Sequence, residues 1–243
     1  MMLQERRMKN TEISYVTDSL KPAVLCDFDD TTVVENVASL LLSRFSGDSW
    51  LQIRERYLEN SLTFKEYQEE AFSKLRASKD MLKEAVREEA TLRPYFKELW
   101  QVCFSRNIPL AILTIGLDFY VEALLEREGL EDVPVYAVGT RFLAGCIDFI
   151  YNYTREGCET LGNCKCVVLD RFKNRGHFIV YVGDGRSDFC PASKSDLVFA
   201  RSYLADCCEE QNIDYVPFKD FKGVIQALKE PIGPPSSHTR SVT

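Results

Sequence analysis

The chain has 243 residues, 45% hydrophobic and 28% charged, the make-up of a folded globular protein and not of a disordered one. Its 37 Asp and Glu against 30 Lys and Arg give a net charge of -7, which discourages nonspecific binding to nucleic acid or to an anionic membrane. No apolar run approaches the roughly 18 residues of a membrane span, and Met1 to Asn10 lack the apolar centre of a secretory signal, so a cytoplasmic protein is expected. Nine cysteines, an odd number, with Cys26 and Cys103 inside apolar elements, point to reduced thiols and not to a disulfide framework.

Residues 1–20 read as a polar lead-in. Ala23 to Asp27 is a short apolar run that reads as a buried strand and places Asp27 and Asp29 at its carboxyl end, the edge at which open α/β sheets bind ligands. Residues two apart on an extended chain point the same way. The two carboxylates are therefore expected side by side, held by a divalent cation, a shared proton, or both. From about Asn36 to Ala90 no strand candidate appears. Apolar residues there recur at helical spacing (Val37, Leu40, Leu41; Tyr67, Ala71, Phe72, Leu75), and Thr63 with Glu66 forms a capping box. This predicts a helical cap over 36–90 between the two parts of a core, 1–35 and 91–230, placed as a lid over the carboxyl edge. Its Arg54, Arg56, Tyr57, Lys65 and Tyr67 read as a solvated helical face, outside the site.

Strand and helix then alternate. Helices are predicted over Pro94–Arg106, Leu117–Glu128, Lys165–Asn174 and Lys219–Lys229, and strands over Pro109–Thr114, Val133–Val138, Phe178–Val182 and Leu197–Ala200. Arg141 to Tyr153 alternates as a β-hairpin would, outside the main sheet, and 231–243 reads as a flexible tail. The fold class that follows is α/β: a doubly wound, mainly parallel Rossmann-like sheet with a small helical cap inserted after the first strand.

Chemistry-bearing residues recur at the strand ends. Thr114, Ile115 and Gly116 put a hydroxyl and a glycine before a helix, suited to a phosphate oxygen, although Thr114 also fits as a helix N-cap. Lys165 opens a helix, with Lys173 as the alternative cation. Strand Phe178–Val182 runs into Gly183, Asp184, Gly185, Arg186, Ser187 and Asp188, which adds two carboxylates, Asp188 also fitting as a helix cap. Asp27, Asp29, Asp184 and Asp188 beside one lysine make a magnesium and phosphoryl site. Cys158, Cys164 and Cys166 are three thiols with no nearby His, an incomplete zinc set, and are expected to be unliganded.

This order of residues resembles the haloacid dehalogenase superfamily of phosphatases: Asp, any, Asp, any, Thr at Asp27 to Thr31, then Thr114, Lys165, and the pair Asp184 and Asp188. A helical insertion directly after the first motif resembles the phosphoserine phosphatase subgroup. The run Gly183 to Pro191, with Cys164, Lys165 and Val167 to Leu169, is similar to the phosphoethanolamine/phosphocholine phosphatases. Ser195 to Leu204 and Glu210 to Asn212 are similar to the bacterial methionine-salvage phosphatases that act on 2-hydroxy-3-keto-5-methylthiopentenyl-1-phosphate, and this likeness ranks first because it continues to Phe221. The resemblance implies Asp27 as the nucleophile that forms an aspartyl phosphate, and Asp29 as the acid for the leaving alcohol and then the base for water. It implies magnesium at Asp27, the Asp29 carbonyl and Asp184 with support from Asp188, and phosphate at Thr114, Gly116 and Lys165. A small phosphorylated metabolite is then the partner. A non-hydrolytic phosphate-binding module and a phosphotransferase are the readings from other classes. Asn36 stands where phosphoserine phosphatases carry a Glu, with Glu35 one place early, which demotes phosphoserine. Asp30 and Ile115 stand where many relatives have Gly.

Overall fold

The computed structural model describes residues 21–143 and 146–229; the lead-in and the tail lie outside the described residues. Strand β1 (Lys21–Cys26) is the centre of a seven-stranded sheet. On one side it pairs in parallel with β2 (Leu110–Leu117), which pairs in parallel with β3 (Val135–Leu143), and β4 (Cys146–Ile150) closes that edge antiparallel. On the other side follow β5 (His177–Gly183), β6 (Leu197–Ala200) and the two-residue β7 (Val216–Pro217), all parallel. β1 and β2 are apolar on both faces because both are covered. Alternate residues serve opposite layers: Val24, Cys26, Ile112 and Val180 pack in one core, Ala23, Leu25, Ala111 and Ile179 in the other. With β2 on one side of β1 and β5 on the other, the crevice at the carboxyl end of β1 is the topological switch point.

Over residues 36–90, between β1 and the first core helix, the chain forms four α-helices: α1 (Val37–Phe45), α2 (Ser49–Leu58), α3 (Phe64–Phe72) and α4 (Lys79–Glu89). Three of the four starts, those of α1, α3 and α4, are written locally. Asn36 accepts from the Ser39 N–H, Ser78 from the Met81 N–H, and the Thr63–Glu66 capping box is formed in both directions. The core helices are α5 (Phe96–Ser105), α6 (Asp118–Glu128), α7 (Lys165–Lys173), α8 (Phe189–Ser193), α9 (Ser202–Glu210) and α10 (Phe221–Lys229). Gly129 ends α6 in the left-handed conformation, φ 69°. Helix α4 is fastened to α6 by Lys83 and Arg87, each 2.9 Å from Glu126, and Glu69 of α3 accepts from the Tyr151 hydroxyl at 2.8 Å.

The hairpin corrects the sequence reading. β3 runs unbroken for nine residues, pairing with β2 through its first half and with β4 from Gly139 to Leu143, so the hairpin is an edge of the main sheet and not a separate unit. Helix α9 and strand β7 were not anticipated, and the segment after Asp188 forms the short helix α8.

Candidate active site

β1 ends one residue before its carboxylate. Asp27 donates its N–H to the Val182 carbonyl at 2.9 Å and accepts the Thr32 hydroxyl on its own carbonyl at 2.6 Å, so its backbone is fixed by β5 and by the following turn. That turn is tight: Asp30 takes φ 58°, a left-handed conformation that Asp tolerates better than most residues. Arg93, only 7% exposed, clamps it, donating to the Thr31 and Asp30 carbonyls at 2.5 Å each.

A buried ion cluster lies at the centre. Lys165, first residue of α7, donates to Asp27 Oδ1 at 2.5 Å and to Asp188 Oδ1 at 2.6 Å. Asp188 is fully buried and its oxygens are saturated, one by Lys165 and the Tyr181 hydroxyl (2.6 Å), the other by the Asp184 and Gly185 N–H groups (3.1 and 2.9 Å). Asp184 Oδ1 accepts from the Thr31 hydroxyl at 2.9 Å. One oxygen from each of Asp27, Asp184 and Asp188 lies within 4.8 Å of the others.

Asp29 leaves this cluster. Its Oδ1 accepts from the Val37 N–H at the start of α1 (2.6 Å) and its Oδ2 from the Tyr120 hydroxyl (3.0 Å). Asp27 and Asp29 therefore do not share one face of an extended strand: β1 has already ended at Cys26, and the turn sends the carboxylates to different partners.

The electrostatics follow from burial. Desolvation raises the Asp27 carboxyl well above its usual range, Asp188 adds to this, and Lys165 opposes it. Desolvation also raises Asp29 to about 6, with the Val37 N–H and the Tyr120 hydroxyl pulling it down. Asp184 is raised to about 6 by burial and then by Asp188. Burial would lower Lys165, but Asp188 and Asp27 outweigh it and hold the ammonium above its ordinary value. Burial is the first cause at both Asp27 and Asp184, and the neighbouring Asp188 carboxylate adds to it.

The cluster opens into a cavity of about 350 Å³ between the sheet edge and the inserted helices, reached by Asp27, Asp29, Thr114, Gly116 and Asp184 from below. Thr114 does not cap α6, whose N-cap is Leu117; its hydroxyl accepts from the Gly116 N–H at 2.9 Å. Lys173 turns away to the Lys194 carbonyl and is not the cation of the cluster; Asp188 makes no side-chain cap bond to α8, but its carboxylate accepts the Gly185 N–H that opens the 3-10 turn Arg186–Asp188, so capping and the ion cluster share one side chain. Glu35 accepts from the Thr91 N–H instead of facing the cavity, which Asn36 lines.

Sequence reasoning missed four groups. Arg54, Tyr57 and Tyr67, read as solvated, line the cavity, while Arg56 pairs with Glu70 and Lys65 lies over the Tyr151 ring. Gln68 was never singled out, yet its Nε2 donates to the Ile115 carbonyl at 2.9 Å, tying α3 to the loop beside Thr114. Tyr120 and Arg93 were likewise not singled out; only their long-range partners reveal a role.

The whole arrangement has relatives. Residues 23–206 match the family described as Putative Phosphatase. The chain is 32% identical over 216 residues to 2-hydroxy-3-keto-5-methylthiopentenyl-1-phosphate phosphatase of Brevibacillus brevis, covering 87% of this chain and 97% of that protein. It is 30% identical to the phosphatase of the same name from Lysinibacillus sphaericus, over 87% of this chain and 95% of that one. Its fold matches a phospho-aspartyl intermediate analogue of phosphoserine phosphatase with a TM-score of 0.62 at 20% identity, covering 86% of this chain and 99% of the other. Matched over most of its described length and sharing its doubly wound fold with a phosphoserine phosphatase, the chain belongs to the Putative Phosphatase family and is a phosphatase.

Proposed function

We propose that the chain hydrolyses a small phosphate monoester through a covalent intermediate on Asp27. The observation that carries this is Asp27 held at 2.5 Å by a buried Lys165 at the floor of a cavity, with Asp29 less than a turn away and bonded elsewhere. Asp27 attacks phosphorus while Asp29, protonated, passes its proton to the departing alcohol oxygen. Asp29, now a carboxylate, takes a proton from water, whose oxygen attacks the phosphoryl group and frees Asp27. A carboxyl near pH 6 suits both halves of that cycle. Thr114, Gly116 and Lys165 hold the phosphoryl oxygens, which is where most of the stabilisation in phosphoryl transfer arises.

The donor set fits magnesium. Asp27, Asp184 and Asp188 offer only hard oxygen ligands within 4.8 Å, and one lysine does not balance them. Asp188 has both oxygens engaged, while Asp27 and Asp184 each have one bonded among the described residues, so those two are the direct ligands, with the Asp29 carbonyl, and Asp188 supports them. Bound there, magnesium would neutralise charge on the phosphoryl group and bias Asp27 to its ionised form.

The substrate reading rests on the relatives' name and on the cavity wall. Leu42, Leu58, Phe64 and Phe72 present an apolar roof, fitting the methylthio tail of 2-hydroxy-3-keto-5-methylthiopentenyl-1-phosphate. A second reading, phosphocholine or phosphoethanolamine, is favoured by the cluster of Tyr57, Phe64 and Tyr67, whose rings would face an alkylammonium. Arg54 in the same cavity repels such a cation and places it second. Among the described residues no helix is long and apolar enough to cross a membrane, and we place the enzyme in the cytoplasm, consistent with nine free cysteines.

Purified protein with magnesium should release phosphate from p-nitrophenyl phosphate, and Asp27→Asn should abolish it. A panel of the methylthio enol phosphate, phosphocholine, phosphoethanolamine, phosphoserine, thiamine phosphate and pyridoxal phosphate then ranks substrates by kcat/KM. No release from any of them leaves only a phosphate-binding module, and dominant transfer to an acceptor alcohol makes the chain a phosphotransferase.

A further inference from the structure

Cysteines far apart in the chain meet beside the site. Cys166 follows Lys165 on the first turn of α7, and Cys190 lies two residues beyond Asp188 on α8. Their sulfurs are 3.2 Å apart. Cys166 is buried and Cys190 is exposed, so one thiol of the pair meets solvent and the other waits behind it. The residues each cysteine adjoins are themselves in contact, Lys165 with Asp188 at 2.6 Å.

We propose that Cys166 and Cys190 form a thiol modification site that takes small-molecule disulfides and closes a bond that lowers phosphatase activity. The deprotonated Cys190 sulfur attacks one sulfur of the external disulfide, expelling the first small thiol and leaving a mixed disulfide. Cys166 then attacks the Cys190 sulfur and expels the second small thiolate, which takes up the Cys166 proton as it leaves. Two protein thiols are oxidised and one disulfide is reduced to two thiols. A disulfide needs sulfurs about 2.05 Å apart, so the pair must close by roughly an ångström, and whatever part of that the two side chains do not take up by rotation draws the starts of α7 and α8 together. Lys165 and Asp188 sit on those starts, and Lys165 also holds Asp27 at 2.5 Å, so the shift reaches the nucleophile. Displacement of about 1 Å at a reacting centre costs on the order of 100-fold in rate.

The competing occupant is a thiophilic metal on Cys158, Cys164, Cys166 and Cys190. Among the described residues the one cluster whose ligand atoms converge as a metal requires is Asp27, Asp184 and Asp188, so these thiols are not gathered for an ion.

The experiment incubates the reduced full chain with increasing oxidised glutathione and maps unreduced peptides by mass spectrometry. The expected result is a Cys166–Cys190 link, a fall in kcat/KM of at least about 10-fold, and full recovery with dithiothreitol. Cys190→Ser should retain the reduced activity and lose the sensitivity; Cys166→Ala should stop at a glutathione adduct on Cys190. A stable adduct on the unmodified chain, a link elsewhere, a full link with unchanged activity, or stoichiometric zinc masking the thiols would each overturn the proposal. The activity readout rests on the phosphatase reading above, but the peptide link does not, so a chain that forms the link yet hydrolyses nothing disproves that reading and not the bond.

Discussion

Tyr120 of α6 donates its hydroxyl to Asp29 Oδ2 at 3.0 Å, and this bond makes Asp29 a different acid from Asp27 although they are two residues apart. Burial raises Asp29 to about 6, and the tyrosine is one of three donors that restrain it, with the Val37 and Ala38 N–H groups. Tyr120→Phe removes a donor to the carboxylate form, so the Asp29 carboxyl should rise further. The first chemical step needs Asp29 protonated, so the alkaline limb of kcat/KM against pH should move up by about 0.5 to 1 unit. At pH 7, which lies on that limb, the larger protonated fraction offsets the lost contact, so activity should stay within about threefold of the parent chain. An unmoved alkaline limb would mean that Tyr120 does not tune Asp29.

Gly116 is required for the same contact. A Cβ there would stand 2.0 Å from the Tyr120 hydroxyl oxygen, 2.9 Å from the ring carbon that bears it and 3.1 Å from Asp29 Oδ2. Tyr120 is fully buried and cannot swing into solvent. Gly116→Ala should therefore dislodge both the tyrosine and Asp29, with a loss of about 100-fold in kcat/KM. Adding Tyr120→Phe removes the closest clash and should recover part of that loss. Equal activities for the single and double variants would show that Gly116 acts only through the phosphate.

The catalytic floor was legible because its residues sit at ends of continuous apolar runs, which buried parallel strands produce and which place Asp27, Thr114 and Asp184 at one sheet edge. The supporting shell was not. Tyr120, Gln68 and Arg93 meet their partners across separations of 91, 47 and about 60 residues, and in sequence each looks like an ordinary helix or loop residue. Arg54, Tyr57 and Tyr67 failed for a related reason: an amphipathic helix that covers a cavity shows the pattern of one that faces water. The hairpin misled because alternation predicts a strand pair but not that β3 would continue into it.

Lys165 is the only cation bonded to Asp27 and Asp188 among the described residues, and all three are buried. Lys165→Met keeps the length of the side chain but leaves two carboxylates to repel each other in the interior. Removing one partner of a buried ion pair costs about 3 kcal/mol or more. Asp27 can escape part of that by binding a proton, so the loss should be smaller at pH 5 than at pH 7.5. Urea denaturation without magnesium at the two pH values measures it: an equal loss at both would show that Asp27 gains no such relief, and no loss at either would place the ion cluster outside the stability of the fold.

Magnesium should stabilise the protein in a pH-dependent way. Asp29 and Asp184 are raised to about 6 in the folded chain, against a carboxyl value near 3.9 when unfolded. Between those values the folded state holds protons that the unfolded state has released, so these groups make folding less favourable as pH rises, and the loss is complete above about 6. A divalent cation acts in the opposite direction because it binds the ionised carboxylates, and its affinity should rise as pH passes through that range. At a fixed magnesium concentration the increase in Tm should be small at pH 5 and several degrees at pH 8, and Asp184→Asn should remove most of it. The same increase at both pH values, or one that survives Asp184→Asn, would place the ion somewhere other than between Asp27 and Asp184.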